Sequence, residues 1–242
     1  MSLPDDVRSR LDQVRARIAR AAEASGRRGE DVRLVAVSKT FGIDHIRAAS
    51  EAGQRDFGEN RVQEALQKQE ALQRMAGSAD FLIRWHLVGS LQSNKARRAA
   101  EVFSWLHSID SPELLQRVDR AAVAAGTHLK LLIQVDLAGE ATKHGALAAA
   151  VPAIFEAARA CRAAQVVGLM VLPPWFDDPA GARPYFAQLR QLGDRLRASG
   201  TPPGMLQELS MGMSHDFEAA VEEGATIVRL GTAIFGDRRT GT

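Results

Sequence analysis

The sequence predicts an α/β fold, a single (β/α)8 barrel of the TIM type with an extra N-terminal helix. Three observations carry that expectation. Apolar, β-branched runs alternate with helical stretches along the whole chain, which is the rhythm of parallel βαβ units. About eight such runs occur, the number that closes a barrel of this kind. The 242 residues suit one barrel domain spanning 1–242, and no Gly/Ser linker, composition break or low-complexity tract divides them. A doubly wound open sheet is the alternative arrangement of the same units.

The first element is a helix. Leu3, Val7, Leu11, Val14 and Ile18 recur every three or four residues and share one face. Arg8, Arg10, Arg15, Arg17 and Arg20 lie mostly off that face, so a helix packed on the body with a solvated basic side is expected. No aromatic residues interleave there, which argues against a nucleic-acid surface. After Gly26 come strand signals at 32–38, 82–89, 102–109, 129–137, 166–172, 206–210 and 226–230, with a short one around 55–58. Helices are predicted between them. The first, 43–52, stops at Gly53. Helices at 60–75 and 93–102 follow. Ser111 before Pro112 supplies an N-cap and a first-turn proline for 112–125, which Gly126 closes. The stretches 147–164 and 180–199 are long and rich in Ala or Leu. Ser214 is expected to cap 215–223, with Asp216 and Glu218 near its start and Gly224 at its end. Residues 172–179, Leu-Pro-Pro-Trp-Phe-Asp-Asp-Pro, read as a rigid loop at the barrel mouth.

Composition removes several classes of function. An apolar fraction of 45% supports a sizeable core. Basic and acidic residues number 31 and 29, a net charge of +2, so the pI near 9.0 makes no case for nucleic acid. The lone Cys161 excludes an internal disulfide and a multi-cysteine metal site, and suits a reducing, cytoplasmic setting. The N-terminus has no apolar signal core, and no run approaches the roughly 18 apolar residues of a membrane span, so no membrane contact is expected. His45, His86, His107, His128, His144 and His215 have no metal-motif spacing, and no metal is expected. There is no nucleophile elbow, Walker loop or dinucleotide fingerprint.

In a barrel, chemistry sits at the C-terminal ends of the strands. Lys39 closes the almost wholly apolar run from Val32. Desolvation at the mouth of a dry core disfavours an ammonium ion, and a neutral amine is what attacks a carbonyl. On spacing alone, a strand-end lysine paired with a carboxylate such as Glu59 is the plainer reading. Arg229 shares a side with Ile227, opposite Val228, and a guanidinium there needs a partner. At Gly231-Thr232 a backbone N–H can approach a ligand closely beside a hydroxyl, and a short helical turn over 232–235 follows. Ser210 and Ser214, after the seventh strand, complete a seat for phosphate. A carbonyl trap beside a phosphate seat suggests pyridoxal phosphate. His86 is expected to face the interior, and Cys161 to be packed on a helix.

These stretches together resemble the pyridoxal phosphate homeostasis protein family. The matching runs are Leu34–Thr40 (LVAVSKT), Phe57–Glu64 (FGENRVQE), His86–Lys95 (HLVGSLQSNK), His107–Ser111 (HSIDS), Gly168-Leu169-Met170, Leu209–Ser214 (LSMGMS) and Val228–Gly236 (VRLGTAIFG). Leu87 and Ser90 stand where the family often has Phe and Pro. The resemblance covers nearly the whole chain. It implies a barrel like the alanine racemase N-terminal domain, with pyridoxal 5'-phosphate held as an aldimine on Lys39. Ser210, Gly231 and Thr232, with Ser214 and the Met213 backbone, would hold the phosphate. Arg229 would face the pyridine nitrogen, and Asn60 and Met170 would line the cofactor. It also implies a monomer or weak dimer that stores or delivers the cofactor, with apo forms of pyridoxal-phosphate enzymes as partners.

An arginine at the ring nitrogen donates to it and cannot share a second proton, so the ring stays a weak electron sink. A racemase tolerates this arginine but needs a second acid/base group on the opposite face of its substrate. In the racemase family a tyrosine from another domain supplies that group. Here the one tyrosine, Tyr185, falls in a helix expected on the outside of the barrel. No catalytic residue is therefore assigned, and a non-enzymatic carrier is expected, with a narrow-specificity amino-acid racemase as the alternative. Lys95 and Lys143 are exposed candidates for a second, regulatory site.

Overall fold

The structure is a computed structural model and describes residues 2–75, 82–139 and 144–236. The chain begins with α1 (Leu3–Ala24), β1 (Arg33–Val37), α2 (Ile43–Glu51), β2 (Asp56–Glu59), α3 (Val62–Met75) and β3 (Arg84–Leu87). It continues with α4 (Ala96–Val102), β4 (Trp105–Ile109), α5 (Pro112–Ala125), β5 (Leu129–Asp136), β6 (Ala146–Leu147) and α6 (Val151–Ala158). The last elements are β7 (Ala164–Val171), α7 (Arg183–Ala198), β8 (Glu208–Ser210), α8 (Phe217–Glu222), β9 (Ile227–Leu230) and α9 (Thr232–Phe235).

Eight parallel strands close a TIM barrel in the order β1, β2, β3, β4, β5, β7, β8, β9 and back to β1. The closing pair decides where the site forms. Val35 lies opposite Arg229 and Ala36 opposite Leu230, so the C-terminal ends of β1 and β9 are neighbours. Lys39 and Gly231, at the two ends of the sequence, thereby meet at one rim. Side chains alternate inward and outward along each strand. Val35, Val37, Val88, Trp105, Leu132, Val167, Met170 and Ile227 form the cluster inside the barrel, and the larger core lies between strands and helices.

α1 behaves as its periodicity predicts. Val7, Leu11, Val14 and Ile18 are buried, while Leu3 is 37% exposed. The helix packs on α2, α8 and α9. Arg17 donates to Glu218 at 2.6 Å, so part of the basic side is pinned to the body. Ser111 accepts from the Leu114 N–H at 3.2 Å, and Gly126 turns left-handed at φ 66°, as expected for the caps of α5.

Two expectations need correction, and one strand was not foreseen. The long helix at 147–164 is only α6, because Ala164 is drawn into parallel pairing with Leu129. An alanine-rich run has no strong preference of its own at its ends, and strand pairing decides there. β6 is two residues long and carries no readable periodicity; it pairs with the end of β5. Ser214 does not cap α8, which begins after Asp216. Its hydroxyl oxygen instead accepts from the N–H groups of Gly231 and Ala233.

Candidate functional site

Lys39 continues the inward parity of Val35 and Val37, so its side chain enters the barrel mouth, half-buried. It lines a cavity of about 660 Å³ with Asn60, Met213, Ser214, Arg229, Gly231 and Thr232. That size suits a small organic ligand. Val37, Val88 and Leu172 form apolar walls, and Trp175 and His215 complete the lining. Those two rings stack with centroids 4.4 Å apart at the rim, with Trp175 69% exposed. The Pro-Pro-Trp loop thus lies at the mouth. Two expected residues do not line the cavity. Met170 and Ser210 are both wholly buried, Met170 in the apolar interior cluster and Ser210 against Arg229.

The peptide around Lys39 is clamped from α3. Lys68 Nζ lies 2.7 Å from the Ser38 carbonyl, from Glu59 and from Glu64. Glu59 also accepts from the Ser38 hydroxyl at 2.6 Å, and Glu64 accepts from the Thr40 N–H at 2.6 Å. Thr40 holds φ 68°, a left-handed conformation rare for a β-branched residue. The ion pair between Lys39 and Glu59 that spacing allowed is not made: Lys68 and Ser38 both bond Glu59 Oε1, and Oε2 is buried without a hydrogen-bond partner among the described residues. Among the described residues no hydrogen bond or ion pair holds the Lys39 amine. Burial raises the Glu59 carboxyl, opposed by Lys68 and Ser38.

Arg229 is 4% exposed. Its Nη1 donates to Ser210 Oγ at 2.6 Å and its Nη2 to the Val171 carbonyl at 2.9 Å. Burial pulls its pKa down to about 10, with the Asp216 charge opposing, so it remains a cation at neutral pH. At the far wall two backbone donors converge on one oxygen. Gly231 N–H lies 3.1 Å and Ala233 N–H 3.3 Å from Ser214 Oγ. Such convergence is what an anionic oxygen requires. Gly212, at φ 92°, shapes the turn that carries Met213 and Ser214, and a Cβ there would sit 2.6 Å from Ala220 Cβ.

Sequence reasoning missed Lys68, Trp175 and His215. It also missed the buried file of Asp56, His86, His107 and Ser210 beneath Arg229, although His86 does face the interior, wholly buried. Strand parity was the available signal: Asp56 shares an inward face with Gly58, and His86 one with Val88. Tyr185 lies on α7 with its ring 5.9 Å from Phe176, outside the cavity lining. Burial raises the Cys161 thiol to about 11, which disfavours the reactive thiolate at neutral pH. Lys95 is exposed, and Lys143 lies outside the described residues. Among the described residues no His, Cys, Asp or Glu cluster could hold a metal ion, and no helix is long and apolar enough to cross a membrane.

Fold and site together define the class of barrel found in alanine racemases: the family model "Alanine racemase, N-terminal domain" matches residues 9–239. A relative from Pseudomonas aeruginosa, named pyridoxal phosphate homeostasis protein, is 43% identical over 231 residues, covering 96% of this chain and 95% of its own. One of the same name from Aquifex aeolicus is 40% identical and covers 95% of this chain and 97% of its own. The chain belongs to the pyridoxal phosphate homeostasis protein family. The solved structure of PipY from Synechococcus elongatus with PLP bound matches at TM-score 0.82 and 41% identity, covering 95% of this chain and 100% of that one. Alanine racemase from Clostridium difficile shares the fold at TM-score 0.70 and 15% identity, and the match spans 58% of its length.

Proposed function

We propose that this chain, as one domain, binds pyridoxal 5'-phosphate and serves its homeostasis by storing it or passing it to apo forms of enzymes that use it. The observation that carries this reading is the convergence of three chemistries on one cavity. Lys39 brings an amine, Arg229 brings a fixed cation, and Gly231, Thr232 and Ser214 bring backbone and hydroxyl groups suited to an anion. Lys39 captures the aldehyde as an aldimine, which masks it and allows release by exchange with an incoming amine. Gly231, Thr232, Ser214 and the Met213 backbone hold the phosphate. Arg229 donates to the ring nitrogen and keeps it unprotonated, which disfavours carbanion chemistry. Asn60 lines the ring. The cavity walls of Val37, Val88 and Leu172 exclude water from one side of it. The chain acts as a monomer in the cytoplasm and carries out no catalysis of its own. The PLP-bound PipY structure at 41% identity supports the reading.

The test is spectroscopic and covalent. Adding pyridoxal phosphate should produce a visible band, and borohydride should fix an adduct that peptide mass spectrometry places on Lys39. Lys39→Ala should lose both. A fixed adduct at the same site in Lys39→Ala would overturn the assignment. Delivery is read by activation of a cofactor-free acceptor enzyme. Enzymatic deuterium exchange at Cα of any amino acid in a panel would replace the carrier with the racemase alternative.

A further inference from the structure

The inside of this barrel is not filled as barrels usually are. Layers of branched apolar side chains are the rule, and the cluster around Val35, Leu132 and Ile227 obeys it. Beside that cluster Asp56, His86, His107, Ser210 and Arg229 are each at most 6% exposed, and they touch in single file. Arg84 grips Asp56 through Nε at 2.8 Å and Nη2 at 2.6 Å. His86 Nε2 lies 2.9 Å from Asp56 Oδ1, and His86 Nδ1 lies 3.0 Å from His107 Nε2. His107 Nδ1 lies 3.0 Å from Ser210 Oγ, which accepts from Arg229 Nη1 at 2.6 Å. One end of the file opens on a cleft of about 770 Å³ lined by Arg33, Asp56 and Arg84; the other end is the cavity of Lys39.

With both imidazoles neutral, donor counting fixes every proton in the file. Asp56, gripped by Arg84, is a carboxylate and only accepts, so His86 donates from Nε2. A neutral His86 then accepts at Nδ1, so His107 donates from Nε2 and accepts at Nδ1. The single Ser210 hydroxyl proton goes to His107, which leaves the oxygen free to accept from Arg229. The opposite direction would set an imidazole lone pair against the Asp56 carboxylate. Burial lowers the pKa of both imidazoles and so keeps them neutral, the state this pattern needs. Such a file could in principle conduct a proton. Burial would raise the Asp56 carboxyl, yet Arg84 and His86 hold it well below the usual carboxylate range, while Arg229 stays near 10. Moving a proton from Arg229 to Asp56 is therefore strongly disfavoured.

We propose that Asp56, His86, His107 and Ser210 are positioning residues that lock the plane of the Arg229 guanidinium against the cavity, with Asp56 as the anchor at the opposite end of the barrel. Nη1 is held by Ser210 and Nη2 by the Val171 carbonyl, so the angle of the cation is set before any ligand arrives. The proposal rests on the function above only for what Arg229 faces.

Two measurements on the full chain decide it. The first needs no ligand: nitrogen-15 spectra of histidine-labelled protein, assigned with His86→Gln and His107→Gln. Both imidazoles should be neutral, with the proton on Nε2, at pH 7. A proton on Nδ1 of either ring, or a charged ring, would overturn the file. The second uses ring-nitrogen-15 pyridoxal phosphate with Ser210→Ala and Ser210→Thr. Ser210→Ala should shift the pyridine nitrogen resonance and weaken binding about tenfold, the scale of a lost hydrogen bond to a charged group. Ser210→Thr, which keeps the hydroxyl, should restore both. An unmoved resonance and affinity in Ser210→Ala would overturn the positioning role. Absence of binding by the wild type would instead sink the proposed function, and the tautomer pattern would still decide the file.

Discussion

Gly212 shows how much of the site hangs on single backbone angles. Its φ of 92° belongs to the left-handed side that glycine enters freely, and an added Cβ would meet Ala220 Cβ at 2.6 Å and Phe217 Cα at 3.0 Å. Neither neighbour is the free end of a flexible side chain, so the cost cannot be relaxed cheaply. Gly212→Ala should destabilise the protein by about 3 kcal/mol, the sum of left-handed strain and overpacking, read as a lower urea midpoint. An unchanged midpoint would show that the turn carrying Met213 and Ser214 is softer than described. Thr40 is the complementary case. It accepts a left-handed φ of 68° without being glycine, because Glu64 receives its N–H at 2.6 Å and Lys68 holds the Ser38 carbonyl at 2.7 Å. Lys39 is thus presented from a backbone constrained on both sides.

Among the elements, α3 and α1 do different work. α3 supplies Lys68, whose side chain is 10% exposed and pairs with Glu59, whose side chain is 0% exposed. Removing one member of a buried pair strands the other. Lys68→Met should cost about 3 kcal/mol at pH 7.5. The loss should shrink toward pH 4.5, because burial already raises the Glu59 carboxyl and an unpaired Glu59 escapes by taking up a proton. A cost independent of pH would refute the buried-charge account. α1 instead supplies apolar closure through Leu11, which is 0% exposed. Leu11→Ala should cost about 3 kcal/mol by cavity formation while leaving pyridoxal phosphate affinity unchanged, since α1 contributes no residue to the cavity lining. A matching loss of affinity would mean that the helix braces the site.

For the whole molecule the polar interior sets the response to acid. Burial lowers the pKa of His86 and His107, so both are neutral in the fold. In the unfolded chain they protonate near pH 6.5. Below that pH the unfolded state binds more protons, so stability falls as pH drops, by up to about 1.4 kcal/mol per unit for each histidine. Asp56 extends the loss further into acid, where its depressed carboxyl would have to protonate. Glu59 and Asp216, raised by burial, act in the opposite sense: their contribution is present at low pH and fades as pH rises through their folded values. Comparing wild type with His107→Gln removes these shared terms. The variant should show a shallower fall in melting temperature between about pH 6.5 and 5. Parallel curves would mean that His107 is not held neutral.

The alternation of strands and helices apart from β6, the buried stripe of α1, the caps of α5 and the rim positions of Lys39, Arg229, Gly231 and Thr232 were legible in the chain. They follow from local periodicity and from where strand ends fall in a barrel. The pairing of β1 with β9 was implied by closure alone. Which residue answers which was not legible. Glu59 could have met Lys39 or Lys68, and Ser214 could have capped α8 or received Gly231 and Ala233; strand register and the approach of α3 decided both. The file from Asp56 to Arg229 joins residues of β2, β3, β4, β8 and β9. Sequence periodicity marks which face a residue takes. Only closure of the barrel brings such inward faces within hydrogen-bonding distance, because buried polar atoms must find partners wherever the tertiary structure puts them.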